Sequence, residues 1–199
     1  MGKLILYSLF SGVNVDLEEL ENKAEQFDVD MDLLPVSTPV NIKRIRLMLK
    51  KTFHSCFGID IRENGGVVFI PSQYLSEWNK VKELLLSVGA VEIDEVDVGV
   101  SNANLIFKKL DKKLKDFFCK EGPSFLDERG KFKLPRTRID LMYCTQLRIV
   151  YYLELHKVYS EILGNKSVYN DKINSLYDAI KKAIEIRTEE IEEERLYGY

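Results

Sequence analysis

The chain has 199 residues, of which 45% are hydrophobic and 31% charged, a balance that excludes wholesale disorder and suits one domain or one domain with a helical extension. Its formal net charge of −3 excludes a uniformly basic nucleic-acid coat protein. Three widely spaced cysteines favour a reducing compartment, and no apolar run approaches the roughly 20 residues of a membrane-spanning helix. We therefore expect a cytoplasmic protein.

The first hundred residues show an alternation of strand and helix patterns. Asp16 can cap a first helix, and either Ser37 or Thr38 can cap a second. Asn64 and Gly65 are typical of a hairpin turn, and Gly89 is typical of a residue that ends a third helix. The predicted elements are a strand at 3–10, a helix from 17, a helix after 39, a strand at 57–62, a strand at 67–70, a helix at 72–88 and a strand at 90–98. This order is typical of a ferredoxin-like (split βαβ) unit, so we predict an α+β fold with that unit at residues 1–100.

Residues 101–199 predict a mainly helical region. Ser101 can cap a basic amphipathic helix at 101–120, which Gly122 and Pro123 should end, and residues 122–136 resemble a long loop. A helix at 138–163 is apolar almost all round, so we expect it to be buried on several sides. A last helix at 168–195, with Ile191 among its inward residues, would complete a long antiparallel helical hairpin at 138–195.

Charge is segregated along the chain. Residues 43–62 hold six basic and one acidic residue, and residues 108–138 hold eleven basic and five acidic ones. These segments either pair with the acidic ones inside the fold or bind a polyanion or partner, and aromatic residues near them (Phe53, Phe57, Phe69, Phe132) would suit base stacking. The candidate binding residues are Lys43, Arg44, Arg46, Lys50, Lys51, Arg62, Lys108, Lys112, Lys115, Lys131, Lys133, Arg136 and Arg138.

Motifs of catalysis and metal binding are sparse. The acidic D-x-D-x-D sequence that begins at Asp28 lacks the glycine and glutamate of a calcium loop, and no phosphate-binding glycine motif occurs. His54 and Cys56 could in principle form a thiolate pair, but a structural cysteine at a helix end is the simpler interpretation. Asp94 and Asp97 are the carboxylates of a metal-dependent nuclease alternative. We expect no cofactor, no metal and no catalytic residue, and incline against an enzyme.

Two short segments carry a family resemblance. Residues 35–46 (PVSTPVNIKRIR) and 65–71 (GGVVFIP) resemble an uncharacterised family of small proteins encoded by phages and prophages, over about residues 33–90. The resemblance implies a mobile-element setting and brings no activity or catalytic residues with it.

These observations lead to one principal hypothesis and two alternatives. The principal one is a non-enzymatic viral binding protein that engages a host protein or ribonucleoprotein complex as an anti-defence inhibitor, with the acidic run at 189–194 imitating nucleic acid. The alternatives are a single-stranded RNA- or DNA-binding protein that uses segments 43–62 and 108–138, and the nuclease. An uncovered apolar stripe on the C-terminal helices would also allow a homodimer.

Overall fold

The computed structural model describes residues 1–35, 40–62, 66–99 and 102–197. It confirms an α+β protein, and it divides into two compact units, Met1–Ile106 (unit 1) and Phe107–Tyr199 (unit 2). No helix in the described ranges is long and apolar enough to cross a membrane.

Unit 1 alternates strands and helices. Short 3₁₀ turns at Met31–Leu33 and Ser72–Tyr74 lie between longer elements. These elements are, in chain order, β1 (Gly2–Leu9), β2 (Asn14–Val15), α1 (Leu17–Gln26), β3 (Val40–Asn41), α2 (Ile42–Ser55), β4 (Ile59–Asp60), β5 (Val67–Pro71), α3 (Leu75–Ser87) and β6 (Val91–Val98).

Four of the strands form one antiparallel sheet in the order β4-β5-β1-β6, and β2 pairs with β3 separately. Ile5 in the middle of β1 lies opposite Val68 of β5 and Glu95 of β6. Because side chains alternate between the two faces of a strand, Ile5 and Val68 lie on the face that packs against the helices. The core on this face is completed by fully buried residues of the helices, which include Leu20, Ile45, Met48, Leu49, Trp78, Val81, Leu84 and Leu85.

Helix α2 and the strand after it differ from the prediction in their limits. The predicted caps Ser37 and Thr38 lie outside the described residues, and the helix begins at Ile42, where the Asn41 side chain accepts hydrogen bonds from two backbone amides. The strand predicted at 57–62 covers only Ile59 and Asp60, because Phe57 adopts a left-handed conformation (φ 51°) that ends α2. The hairpin turn predicted at Asn64 and Gly65 also lies outside the described residues.

Unit 2 consists of three long helices, of which the first begins inside unit 1. These are α4 (Ala103–Phe125), α5 (Ile139–Leu163) and α6 (Tyr169–Tyr197). The predicted cap of α4, Ser101, lies outside the described residues. The predicted end at Gly122-Pro123 is wrong: α4 continues to Phe125, and the Leu126 amide still donates to the Gly122 carbonyl oxygen at 2.9 Å. Proline lacks an amide hydrogen but does not prevent the carbonyl before it from accepting a bond.

Helices α5 and α6 pack against each other. Gly164 ends α5 in the left-handed conformation (φ 67°), as a glycine after a helix is expected to do. Ile173, Leu176, Ile180 and Ile184 of α6 are buried as predicted, whereas Ile191 is exposed. The expectation that α5 is buried on several sides is wrong for one side, where apolar side chains face solvent.

Candidate binding surfaces

The exposed side of α2 in unit 1 is basic. Lys43, Arg46 and Lys50 recur at helical spacing on this face, Leu47 lies among them 60% exposed, and α2 contains no acidic residue. Within the described part of the chain these three cations form no ion pair. Lys51 lies at the margin of the face and donates to the Asp32 carbonyl oxygen at 2.8 Å. The predicted basic segment 43–62 therefore presents most of its cations on the exposed face of α2, Arg44 is half-buried, and Arg62 is exposed after β4.

The aromatic residues near this patch are not open for base stacking. Phe53 and Phe69 are buried, and Phe53 packs between Tyr7 and Trp78 with ring centroids 5.3 Å from each. Stacking of bases requires an accessible ring face, so the expectation that these two residues stack on nucleic acid is wrong.

In unit 2, Lys108, Lys112 and Lys115 lie on one exposed face of α4. The opposite face buries Leu110, Leu114 and Phe117, as the helical spacing predicts. We call these three lysines the α4 stripe. Cys119 continues the same face one turn further along the helix.

The segment between α4 and α5, residues 126–138, is held in a defined shape by its own hydrogen bonds. Leu126 and Phe132 form an antiparallel bridge, and the Asp127 carboxylate accepts bonds from the amides of Arg129 (2.9 Å) and Lys131 (2.8 Å). The Lys182 ammonium group lies 4.8 Å from the centre of the Phe132 ring. The segment therefore presents its basic side chains from a fixed backbone.

Three adjoining clefts follow this segment and form one groove. Their volumes are about 830, 680 and 550 Å³; the first two share Pro123 and Lys133, and the last two share Arg136 and Thr137. Six cations line the groove, against the three acids Asp127, Glu128 and Asp140: they are Arg129, Lys133, Arg136, Arg138, Lys172 and Arg187. The groove thus carries an excess of positive charge.

The structure brings together only part of the predicted set. Lys133, Arg136 and Arg138 line the groove, and exposed Lys131 lies on the same segment outside its lining. Arg138 is bound by Asp140 through two hydrogen bonds, which is the internal pairing that the sequence left open. Lys172 and Arg187 of α6 were missed, because they lie 34 to 54 positions after Lys133, Arg136 and Arg138 in the chain and come near them only when the helices pack.

The first half of α5 exposes apolar side chains. Leu141, Tyr143, Leu147 and Val150 of α5 are 52%, 46%, 72% and 43% exposed. Ile191, near the end of α6, lines the same cleft as Ile139, at the start of α5, and Arg187 donates to the Pro135 carbonyl oxygen at 3.1 Å. Ile139 and Ile191 are thus close in space, and we call the apolar side chains around their cleft, together with the exposed apolar side chains of α5, the apolar end of unit 2.

Carboxylates border the apolar end. Glu189, Glu192 and Glu193 recur on one exposed face of α6, while Glu190 is bound by Arg187. Leu196 on the same face is 81% exposed. The acidic run predicted from the sequence is thus an exposed helical surface next to apolar side chains.

The geometry of the other candidate chemical groups is not that of a reactive site. Asp94 and Asp97 lie on opposite faces of β6 because their spacing is odd, so they cannot share a metal ion. No group of three or more potential metal ligands occurs among the described residues. Burial raises the pKa of the Cys56 thiol to about 11, which keeps it protonated and unreactive at neutral pH. Asp28 of the failed calcium motif binds Lys80 at 2.8 Å instead.

Comparison with known proteins gives no relationship: no family model matches the chain, and neither a curated protein nor a solved structure is similar to it.

Proposed function

We propose that this protein is a non-enzymatic binding protein that engages a host protein or ribonucleoprotein complex. The observation that carries the proposal is the apolar end of unit 2, where Leu147 and other apolar side chains of α5 are exposed and the last turns of α6 carry a row of exposed carboxylates. Exposed apolar clusters with a polar rim mark interaction sites, and the acidic rim suits a partner whose docking surface is apolar and basic.

The phage setting belongs to this proposal. A phage-encoded protein acting in the host cytoplasm as an anti-defence inhibitor would need to occupy a functional groove of its target without chemistry of its own. Defence complexes that handle nucleic acid carry basic grooves, and the exposed carboxylates of Glu189, Glu192 and Glu193 offer such a groove charge complementarity.

The finer architecture is part of the proposal too. A ferredoxin-like unit 1 is supported by the antiparallel strand order β4-β5-β1-β6 and by helices that precede β4 and β6. An antiparallel hairpin of α5 and α6 is supported by the short connection after Gly164 and by the Arg187–Pro135 hydrogen bond at the other end.

Affinity purification from the native host tests the proposal, with both protein and nucleic acid identified. Leu147→Glu places a charge in the apolar end and should remove the partner that the wild type retains, by at least about tenfold in amount. Leu86→Glu is the matched control, because Leu86 is an exposed leucine on α3 outside this region. Retention of the same partner by the Leu147 variant, or its equal loss from both variants, would contradict the proposal.

Charge reversal examines the acidic rim separately. Glu189→Lys, Glu192→Lys and Glu193→Lys together should weaken the identified complex, and binding of the wild type should weaken as salt rises. Sedimentation of the purified wild type tests whether a second copy of the chain covers the apolar end instead. A stable homodimer that Leu147→Glu dissociates would mean that the exposed apolar side chains serve dimer formation and not a host partner.

A further inference from the structure

We propose that unit 2 also binds the sugar–phosphate backbone of a nucleic acid, along a path formed by the α4 stripe and the groove of residues 126–138. This surface meets the apolar end at the cleft that Ile139 and Ile191 line, but Lys133, Arg136 and the α4 stripe do not belong to the apolar end, so the activity does not depend on the protein-binding role. Three observations support the proposal: the charge of the groove, the fixed shape of the groove wall, and the continuity of the groove cations with those of α4.

The cations of the groove differ in whether an acidic side chain already binds them. Arg138 and Arg187 are engaged by Asp140 and Glu190, so they contribute little net field. Arg129 and Arg136 form no ion pair within the described ranges, and Lys133 makes only a 3.4 Å bond to the Pro123 carbonyl oxygen. These three cations are available to an incoming anion, and a guanidinium group can bind phosphate through two parallel hydrogen bonds.

The backbone of the groove wall is ordered before any ligand arrives. Besides the bonds to the Asp127 carboxylate, the Lys133 amide donates to the Phe125 carbonyl oxygen at 2.8 Å, and the Gly130 amide donates to the Asp127 carbonyl oxygen at 2.9 Å. A connection of this length without regular secondary structure is uncommon in a compact domain and usually functional. Because the segment is ordered in advance, binding need not overcome the entropy of arranging it.

The α4 stripe extends the path beyond the groove. Cys119 lines the largest cleft and shares its helix face with Lys115, Lys112 and Lys108. At 1.5 Å per residue, the distance from Cys119 to Lys108 adds about 16 Å along the helix axis. A row of cations of this extent suits a ligand with regularly repeated negative charge.

Nucleic acid fits this row better than an acidic peptide does. A phosphate backbone carries one charge at every residue, whereas a peptide gains most of its affinity from a few buried anchors. Phe118 at the groove is half-buried, and the Lys172 ammonium group lies 5.7 Å from its ring centre, so one face of the ring already has a neighbour. We therefore expect binding without strong base preference.

Fluorescence anisotropy with a labelled 20-nucleotide single strand of mixed sequence tests the proposal, beginning at about 50 mM salt. The wild type should bind, and the logarithm of its affinity should fall with the logarithm of salt concentration at a slope of about −3, equivalent to roughly four phosphate contacts. The double variant Lys133→Glu, Arg136→Glu should lose at least about tenfold in affinity. Lys108→Glu, Lys115→Glu should lose a similar factor.

The matched control is Lys157→Glu, Lys181→Glu, which makes the same change in net charge at exposed positions of α5 and α6 outside the groove lining. This control should change the affinity less than about twofold. A circular dichroism spectrum establishes that each variant is folded. If Lys133→Glu, Arg136→Glu does not fold, the double variant Lys133→Ala, Arg136→Ala takes its place. The same titration with a duplex of that sequence distinguishes a single-stranded from a double-stranded nucleic acid as the ligand. Absence of wild-type binding, an equal loss in the control variant, or equal competition by poly-glutamate would overturn the proposal.

Discussion

Glu95 is the most strongly perturbed carboxylate of unit 1, and its position in β6 explains why. Burial by itself would raise its pKa, but hydrogen bonds from Lys3 (2.8 Å), the Trp78 indole (2.9 Å) and Lys82 (3.2 Å) outweigh that effect and hold the pKa at about 2. The ionised side chain therefore ties β1 and α3 to the edge strand. A carboxylate with a lowered folded-state pKa stabilises the fold above its ordinary pKa.

The first prediction concerns Glu95→Gln. The lowered pKa stabilises the fold above pH 4.5 by about 2 kcal/mol, since water screens part of the interaction, and this contribution is lost as the pH falls toward 2. The variant keeps an acceptor for Trp78 but loses both ion pairs, so urea unfolding at pH 7 should show a free energy of unfolding lower by about 2 kcal/mol. Glu92→Gln on the exposed side of β6 should change it by less than about 0.5 kcal/mol. Equal effects of both substitutions would refute this role for Glu95.

His156 has the corresponding role in unit 2, but as a neutral group. Its Nε2 accepts a hydrogen bond from the Ser167 amide at 3.1 Å, and the Ser167 hydroxyl donates to Asp111 of α4. Burial and then the charge of Lys166 lower the pKa of His156, against the opposing effect of Asp171. The Ser167 hydroxyl oxygen also accepts from the Tyr169 amide at the start of α6 (3.1 Å), so the network joins all three helices, and it requires His156 to be unprotonated at Nε2.

The second prediction is therefore a loss of stability in mild acid. Because the folded-state pKa of His156 lies below 6.5, its contribution is complete above pH 6.5 and disappears as the pH falls through the lowered value. The urea midpoint of the wild type should fall between pH 7 and pH 5, and that of His156→Gln should fall less. A pH dependence that is identical in His156→Gln and the wild type would show that His156 is not responsible.

At the scale of the element, the start of α2 depends on one side chain. Asn41 Oδ1 accepts from the amides of Lys43 (3.0 Å) and Arg44 (3.3 Å), two of the amides that a helix cannot pair internally. The third prediction is that Asn41→Ala lowers the free energy of unfolding by about 1 kcal/mol, whereas Asn41→Asp, which keeps the acceptor, does not. Thermal unfolding of the two variants measures the difference, and equal melting temperatures would contradict the capping role.

The elements also show how far the sequence could be used. Periodicity located β1, β5, α3, β6, α5 and α6 to within a few residues, because apolar residues of each element face the core of its own unit. It failed at Pro123, since a proline in the last turn of a helix sacrifices only one amide. For α5 the position was right but the predicted burial was wrong. A helix that is apolar all round is normally buried on all sides, and the sequence pattern does not indicate that the side of Leu147 faces solvent.

At the scale of the whole molecule, a net charge of −3 conceals three charged surfaces. The basic face of α2 belongs to unit 1, while the basic groove and the acidic rim both belong to unit 2. The sequence located the charged segments, since blocks of like charge are visible without a fold. It could not show that Lys133 and Arg136 share a groove with Lys172, because that proximity arises from the packing of α6 beside the 126–138 segment.

The last prediction concerns the independence of the two units. Each has its own stabilising polar network, Glu95 with Lys3, Trp78 and Lys82 in unit 1, and His156 with Ser167 and Asp111 in unit 2. Local destabilisation should then remain within one unit, because separate cores open as separate cooperative units.

Hydrogen exchange measured by mass spectrometry distinguishes independent from shared opening. In Glu95→Gln, amides of β1, β6 and α3 should exchange about tenfold faster or more, while those of α5 and α6 keep their wild-type rates. In the wild type at pH 5, after correction for the intrinsic effect of pH on exchange, protection should fall in α5 and α6 and persist in the sheet. Equal acceleration of both units in Glu95→Gln would mean that they open together, and the stability of each would then belong to the whole chain.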